Sequence, residues 1–479
     1  MAEHFSILVP GASSKDSLLE VRAPYDNALI ATVDTADSSV VEQALITAAA
    51  LYNNRDAWLP AEQRIHILEK TIVLMEERQE ELAIEAAREG GKPLLDSRVE
   101  VARAIDGVKL CIETLRTESG REIPMGLNAA SNGHLAFTRK EPIGVVVAVS
   151  AFNHPLNLIV HQVAPAIATG CPVIVKPAGD TPLSCFRFVE ILREAGLPDE
   201  WCQALSISDR DVATQLVIDE RVDFFSFIGS GKIGWMLRSK LSPGTRCALE
   251  HGGAAPVIVA EDADIEDALP LLVKGGFYHA GQVCVSVQRI FAHHSVAKNL
   301  ANAIAKVGEQ YTTGDPTLAK TDIGPLIRHS EADRIEAWVN EAIDEGAELI
   351  SGGIRLSDSC YSCTVLYHPS NDSKVSQMEI FGPVICIYPY EDIDVAIEQA
   401  NALPFSFQAS VFTRDIDKAM RVSKRINASA VMVNDHTAFR VDWMPFAGLK
   451  QSGLGVGGIP YTMHEMQIDK MTVIRSKEL

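Results

Sequence analysis

The sequence predicts an α/β fold: a parallel sheet with helices on both faces, a second α/β unit after it, and a small β excursion. Three observations carry this. Between Glu141 and Ile228, short runs that are apolar throughout alternate with helical stretches, as strands buried on both faces require. After Cys284 the alternation starts again. Residues 120–141 are polar and rich in turn formers, and a strand-like tail stands at the far end of the chain.

Residues 1–35 read as an extended segment with turns at Pro10-Gly11 and Pro24-Tyr25-Asp26-Asn27. Helices are expected over 38–52 and 60–89; in the second, Ile65, Leu68, Ile72, Met75 and Leu82 hold a helical apolar stripe. Gly90-Gly91-Lys92-Pro93 stops it, a C-terminal glycine followed by proline. A helix over 95–117 carries Arg98, Glu100, Arg103, Asp106 and Lys109, which read as a solvated charged face. Gly120, Pro124, Gly126 and Gly133 make 120–141 a hairpin that leaves the main body. Strands follow over 143–149, 172–176, 203–207 and 222–228, with helices over 155–169, 182–195 and 212–216 between them. Ligands of parallel sheets bind beyond the carboxyl ends of the strands, so loops 150–153, 177–181 and 229–234 should line one crevice. In the second unit, helices are expected over 296–311, 330–345 and 392–402, and strands over 289–293, 347–350 and 385–388. The tail, 471–476, reads as a strand that needs a partner, either the 120–141 excursion or another subunit.

The 479 residues suffice for two or three domains with a large core. A net charge of -20 argues against nucleic acid and anionic membrane as partners, since both call for clustered Lys and Arg. Nine cysteines in no regular framework fit a reducing compartment. Met1 to Gly11 has neither the basic start nor the apolar core of a signal peptide, and no apolar run approaches the roughly 18 residues of a membrane span. A soluble, cytoplasmic protein is expected.

One cysteine stands apart, in Phe277-Tyr278-His279-Ala280-Gly281-Gln282-Val283-Cys284-Val285-Ser286. A thiolate is a strong nucleophile, and a glycine turn can present its sulfur. Read alone, Cys284 fits a buried structural cysteine as well. Gly229-Ser230-Gly231-Lys232-Ile233-Gly234 matches G-x-G-x-x-G after a strand, with Glu250 roughly 20 residues on, where a dinucleotide fingerprint places its ribose-binding acid. The turn follows at least three strands instead of opening the first βα unit, so phosphate contact and a plain tight turn both stand. Cys360-Tyr361-Ser362-Cys363 is a CxxC with no second pair at zinc spacing; no metal site is expected.

Taken together, the motifs resemble the aldehyde dehydrogenase superfamily over essentially the whole chain. The matching pieces run in order: Glu141-Pro142-Ile143-Gly144-Val145-Val146, Phe152-Asn153-His154-Pro155-Leu156, Val175-Lys176-Pro177-Ala178, Phe227-Ile228-Gly229-Ser230 and Leu249-Glu250-His251-Gly252-Gly253. Gly281-Gln282-Val283-Cys284, Glu379-Ile380-Phe381-Gly382-Pro383-Val384 and Pro445-Phe446-Ala447-Gly448 complete the set, the last with Lys450 and Ser452-Gly453. The resemblance implies a Rossmann-like dinucleotide-binding domain over 1–119 and 142–251. It further implies an α/β catalytic domain over 252–450, and a small β oligomerisation arm over 120–141 and 464–479. It also implies NAD(P)-dependent oxidation of a small aldehyde to a carboxylic acid, in a homodimer or homotetramer. Cys284 would attack the carbonyl, and the Asn153 amide with the Cys284 backbone N–H would hold the oxyanion; one such donor is worth about 3–4 kcal/mol of barrier. Glu250 would be the general base toward the thioester. By the same matching, Val149, Ser150 and Phe152 would line the cofactor crevice, and Lys176 would contact the adenosine ribose. Gly229 and Ser230 would face the pyrophosphate, Glu379 would hold the nicotinamide ribose, and Phe381 would pack on the ring.

Several residues depart from the family pattern. Gly179 stands where many NAD-preferring members carry Glu, which leans toward NADP tolerance, although Asp180 is adjacent. His154 replaces a bulky aromatic, and His251 replaces Leu and reads as a satisfied core histidine. Asn434-Asp435-His436 through Arg440-Val441-Asp442 resembles a subgroup acting on lactaldehyde-like and phosphonoacetaldehyde-like substrates. On that resemblance Arg440 or Arg103 would meet an anionic substrate group, but each reads rather as an ion-pair residue, and Val283, which offers no charge to an anion, argues against a strongly anionic substrate. The rival readings are a CoA-acylating relative, a branch that lacks the Glu base, and a catalytically silent relative. A Cys284–His279 hydrolase dyad has no other support.

Overall fold

The computed structural model describes residues 2–12 and 17–479; the expected N-terminal extended segment falls outside it at residues 1 and 13–16. Its core is a six-stranded sheet in the order Gly453–Leu454, Arg246–Glu250, Phe224–Ile228, Val146–Val149, Val173–Lys176, Cys202–Ala204. All neighbours are parallel except Gly453–Leu454, which arrives from far along the chain and pairs antiparallel with Arg246–Glu250. Val146, Val147, Val173, Ile174, Phe224 and Phe225 are fully buried, with apolar clusters on both faces of the sheet. That is why these strands show no polar alternation.

A second sheet has seven strands, in the order Glu348–Ser351, Thr364–Tyr367, Val384–Tyr390, Arg289–His293, Pro256–Val259, Gln408–Phe412, Ala430–Val433. It is parallel except at the Glu348–Ser351 edge and has its own core. The tail finds its partner within the chain: Gln467–Arg475 pairs antiparallel with His134–Pro142 along its whole length, and Glu122–Ile123 pairs on the other side. The first strands, Glu3–Phe5, Leu18–Arg22 and Leu29–Asp34, make a small sheet of their own.

Three expectations need correction. The helix over 60–89 is two helices, Ala61–Glu77 and Gln79–Gly90, with Arg78 non-helical between them at φ -107, ψ 15. The redirected second half brings Glu89 to the start of the helix Leu183–Glu194, where its carboxylate accepts from Leu183 N at 2.8 Å and Ser184 N at 2.9 Å. The strand over 143–149 begins only at Val146, because Gly144 has φ 146 and Val145 N donates to the Asp223 carboxylate at 2.8 Å. The charged face of the helix Leu94–Thr117 is only partly solvated. Glu100 lies on the buried side with Ser97, Val101 and Ala104, while Arg98 and Lys109 keep exposed ion pairs. Among the described residues no helix is long and apolar enough to cross a membrane, and no cluster of His, Cys, Asp and Glu can hold a metal ion.

Candidate active site

The helix Ile265–Phe277 runs into a reversal that presents Cys284. His279, Ala280 and Gly281 follow one another in left-handed conformation, at φ 49, 53 and 69. Each non-glycine residue held there costs of order 1–3 kcal/mol, so the surroundings must impose it. A Cβ at Gly281 would overlap the Gly382 carbonyl, so only glycine fits. Gln282, fully buried, anchors the next step: Oε1 accepts from Ile327 N at 2.9 Å and Nε2 donates to Pro325 O at 3.2 Å. Cys284 therefore sits on a fixed turn, with only part of its side chain open.

Three segments bring their groups to it. The Asn153 Nδ2 donates to Gln282 O at 2.9 Å, which sets its amide beside the Cys284 backbone and leaves a second N–H for another acceptor. Glu250 ends the strand Arg246–Glu250, and its charge acts on Cys284. Space for its carboxylate comes from Gly457, where a Cβ would overlap Oε1. Glu379 approaches from a third direction, over Gly252 and Gly253, and accepts from Gly253 N at 3.2 Å.

The electrostatics follow from enclosure. Burial raises Glu250 to about 7, with the Arg440 charge opposing. Burial likewise raises Glu379 to about 8. The Cys284 thiol is pushed up to about 12 by burial and by the charges of Glu379 and Glu250, against which Arg440 works.

The carboxyl ends of Val146–Val149, Val173–Lys176 and Phe224–Ile228 lie side by side and carry the residues expected to meet a cofactor. Ser150 follows the strand Val146–Val149, and its buried Oγ has no protein partner. Val149 is half-buried at the strand end, and Phe152 meets Phe381 edge-on at 5.8 Å. Lys176 Nζ touches only Pro177 O, at 3.2 Å. A Cβ at Gly179 would meet nothing within 4 Å, so the loop leaves open space there. Gly229 and Ser230 precede the helix Gly231–Arg238, whose N-terminal N–H groups suit a phosphate. The third glycine of the turn, Gly234, answers a packing need: its missing Cβ makes room for the His251 ring. His251 is a buried core histidine but not a satisfied one: Nδ1 lies 2.9 Å from Gly229 O and its ring between Phe227 and Trp235, while its buried Nε2 finds no partner among the described residues. An orphaned hydroxyl, a nearly unpartnered lysine and open space by Gly179 fit a dinucleotide.

The sequence reading passed over a buried cluster behind Asn153. Lys92 pairs with Glu100, and its Nζ lies 2.7 Å from His154 Nδ1. Glu100 Oε1 also accepts from Leu156 N and Asn157 N, at 2.9 and 3.0 Å. The available signal was the Gly91-Lys92-Pro93 turn, which places a lysine where the chain turns inward. A second cluster centres on Asp442. Arg103 binds it through two bonds of 2.7 and 3.0 Å, and His161 Nε2 lies 2.8 Å away, which holds the carboxyl far below its ordinary range. Arg103 is thus an ion-pair residue, as expected; Arg440 is bonded less well, 3.7 Å from the same carboxylate.

A cysteine on a strained turn, an enclosed carboxyl group and a parallel sheet fit one class of protein, and the family comparison gives it. Residues 11–472 match the family model for the aldehyde dehydrogenase family, and the chain belongs to that family. It is 37% identical over 456 residues to 3-sulfolactaldehyde dehydrogenase of Priestia aryabhattai, covering 95% of this chain and 94% of that one. Among solved structures it is similar to aldehyde dehydrogenase 21 of Physcomitrella patens, in complex with the reaction product succinate. The TM-score is 0.95 and the identity 34%, over 99% of both chains. It is also similar to the glyceraldehyde-3-phosphate dehydrogenase of Methanocaldococcus jannaschii complexed with NADP, with TM-score 0.91 and 34% identity, over 96% of this chain and all of that one.

Proposed function

We propose that the protein oxidises a small aldehyde to its carboxylic acid through a thiohemiacetal and then a thioester on Cys284. NAD or NADP supplies the hydride acceptor. The observation that supports this reading is that two distant segments reach the same cysteine: Asn153 bonds Gln282 O, two residues before Cys284, and the Glu250 charge acts on Cys284.

At rest Cys284 is a thiol, because burial and two carboxyl groups oppose its ionisation. Glu250, near 7, is the group poised to take the proton as sulfur adds to the carbonyl carbon. The oxyanion formed would be held by the free Asn153 N–H and the Cys284 backbone N–H. After hydride loss, Glu250 would release that first proton to solvent, draw a second from the water that attacks the thioester, and pass it to the departing sulfur, releasing the acid and restoring the thiol. Its presence favours hydrolysis over transfer to coenzyme A.

The remaining assignments follow the same reading. Ser150, Lys176, Gly229 and Ser230 would hold the adenosine and pyrophosphate side of the cofactor, with Val149 and Phe152 lining the crevice. Glu379 would hold the nicotinamide ribose, and Phe381 would back the ring. NADP would be accepted alongside NAD: no acid stands at Gly179, and Asp180 is neutralised by Arg328, whose Nε is 2.8 Å from it. Segments 1–119 and 142–251 would serve cofactor binding, 252–450 catalysis, and 120–141 with 464–479 the joining of subunits.

The test is cofactor reduction with a panel of aldehydes, NAD and NADP separately. Cys284→Ala should reduce none. Glu250→Gln should slow both sulfur addition and thioester hydrolysis, with steady-state turnover lower by about 10²–10⁴-fold and any acyl group formed on Cys284 persisting by mass spectrometry. Turnover that appears only with coenzyme A present would replace hydrolysis by acyl transfer.

A further inference from the structure

The buried pair of Lys92 and Glu100 is unused by this mechanism. Both side chains are fully enclosed, at 0% exposure. Two charges taken out of water gain little over an apolar pair of the same volume. What such a pair supplies is direction, and every side-chain bond it makes beyond itself, among the described residues, goes to one segment. Glu100 Oε1 accepts from Leu156 N and Asn157 N, and Lys92 Nζ lies against His154 Nδ1. Leu156 is the N-cap of the helix Asn157–Thr169 and gives it no side-chain bond, so Glu100 caps it from the helix Leu94–Thr117. These bonds fix residues 154–157, and Asn153 is the residue just before them.

The turn that carries Lys92 also reaches the other half of the site. A Cβ at Gly90 would lie 3.7 Å from Phe152 O and 3.8 Å from Pro155 Cγ, on either side of Asn153. A Cβ at Gly91 would come within 2.9 Å of the Pro325 ring, and Pro325 O is an acceptor for Gln282. Gln282 O in turn accepts from Asn153 Nδ2 at 2.9 Å. The amide is held at its tip by the cysteine turn and at its root by the segment that Lys92 and Glu100 fix. Its second N–H can be aimed only if both ends stay in place. An ångström of misplacement at such a donor costs about 100-fold in rate.

Resting on the aldehyde-oxidising reading above, we propose that Lys92 and Glu100 are positioning residues of the reaction: they hold Asn153 so that its free N–H meets the oxyanion. Neither touches substrate or cofactor. A glutamine would not serve in place of Glu100. Its oxygen can take the two backbone N–H groups, but its amide nitrogen then faces the Lys92 ammonium, donor against donor. As Lys92 turns away, His154 loses the ammonium that anchors its Nδ1, and the residue before it is freed with it.

The test is a double-mutant cycle on the full-length protein, with one aldehyde that wild type oxidises. Asn153→Ala should lower kcat by about 10²–10³-fold, the worth of one oxyanion donor. Glu100→Gln should lower kcat by about 10- to 100-fold, with KM for aldehyde and for cofactor little changed. In the Asn153→Ala background Glu100→Gln should cost almost nothing more. Alkylation of Cys284 by iodoacetamide, followed by mass spectrometry, should keep its wild-type rate in Glu100→Gln, because Gln282 holds the cysteine turn through Ile327 N. An unchanged kcat in Glu100→Gln, or losses that multiply across the two backgrounds, overturns the proposal and leaves aldehyde oxidation standing. So does an alkylation rate that falls along with kcat, which marks a general loosening of the site. Asn153→Ala as fast as wild type removes the oxyanion role and the proposal with it; no reduction by wild type with any aldehyde sinks the whole reading. Should Glu100→Gln not fold by circular dichroism, Lys92→Met with Glu100→Gln, which removes both charges and leaves an acceptor for the two N–H groups, decides by the same cycle.

Discussion

The role proposed for Glu250 requires a carboxylate, yet burial raises the group to about 7. Below that pH it is protonated and cannot accept a proton, so thioester hydrolysis should fall as pH drops through about 7 and level off above it. A kcat profile with one ionisation near 7, lost in Glu250→Gln, is the expected outcome; a flat wild-type profile from pH 6 to 9 would assign the base elsewhere. The position of that carboxylate depends on a missing atom. Gly457→Ala puts a methyl group where Oε1 lies, so Glu250 must move. Steady-state turnover should drop by about 100-fold, the usual cost of displacing a catalytic group by an ångström. Binding of the cofactor, measured by fluorescence, should hardly change.

Among the elements, the helix Leu183–Glu194 shows what long-range capping does. Its N-cap residue is Pro182, which has no side chain to offer, and the first N–H groups are met by Glu89 from another helix. Glu89→Ala orphans two buried donors and should cost about 2–4 kcal/mol, read as a lower midpoint in thermal or urea denaturation. This cap was invisible in the sequence because it needs the bend at Arg78, and no proline or glycine marks that bend. What the sequence did disclose is governed by pattern. The apolar runs ending at Val149, Lys176 and Ile228 and the strand Arg289–His293 were found because buried parallel strands need such runs. Strands such as Arg246–Glu250 and Thr364–Tyr367 escaped notice, since Arg246 and Glu250 in the one and Thr364 and Tyr367 in the other leave no run that is apolar throughout. At the site, the positions of Cys284, Asn153 and Glu250 were legible only as members of an ordered set of motifs. Arg440, expected as an ion-pair residue, does pair with Asp442 at 3.7 Å, although Arg103 and His161 hold that carboxylate more closely.

At the scale of the whole molecule, the sheet formed by Gln467–Arg475, His134–Pro142 and Glu122–Ile123 stands out for its apolar exposure. Met471, Val473 and Ile474 are 56%, 49% and 44% exposed on a strand with a free edge. Exposed strands of that kind invite pairing with another chain. The protein should sediment as a dimer or larger, and Val473→Glu with Ile474→Glu should shift it to a smaller species; a wild-type monomer would refute the arm's role. The far end of the chain also governs the base. Leu249 and Glu250 are edged by Leu454 and Gly453, and His251 N bonds Ser452 O at 3.0 Å. Chains emerge from the ribosome N-terminus first and fold as they emerge. A nascent chain therefore holds Cys284 long before the segment that seats Glu250 has been made. Synthesis itself thus delays the pairing of thiol and carboxylate, and a prematurely terminated product lacks the strand that sets Glu250 in place.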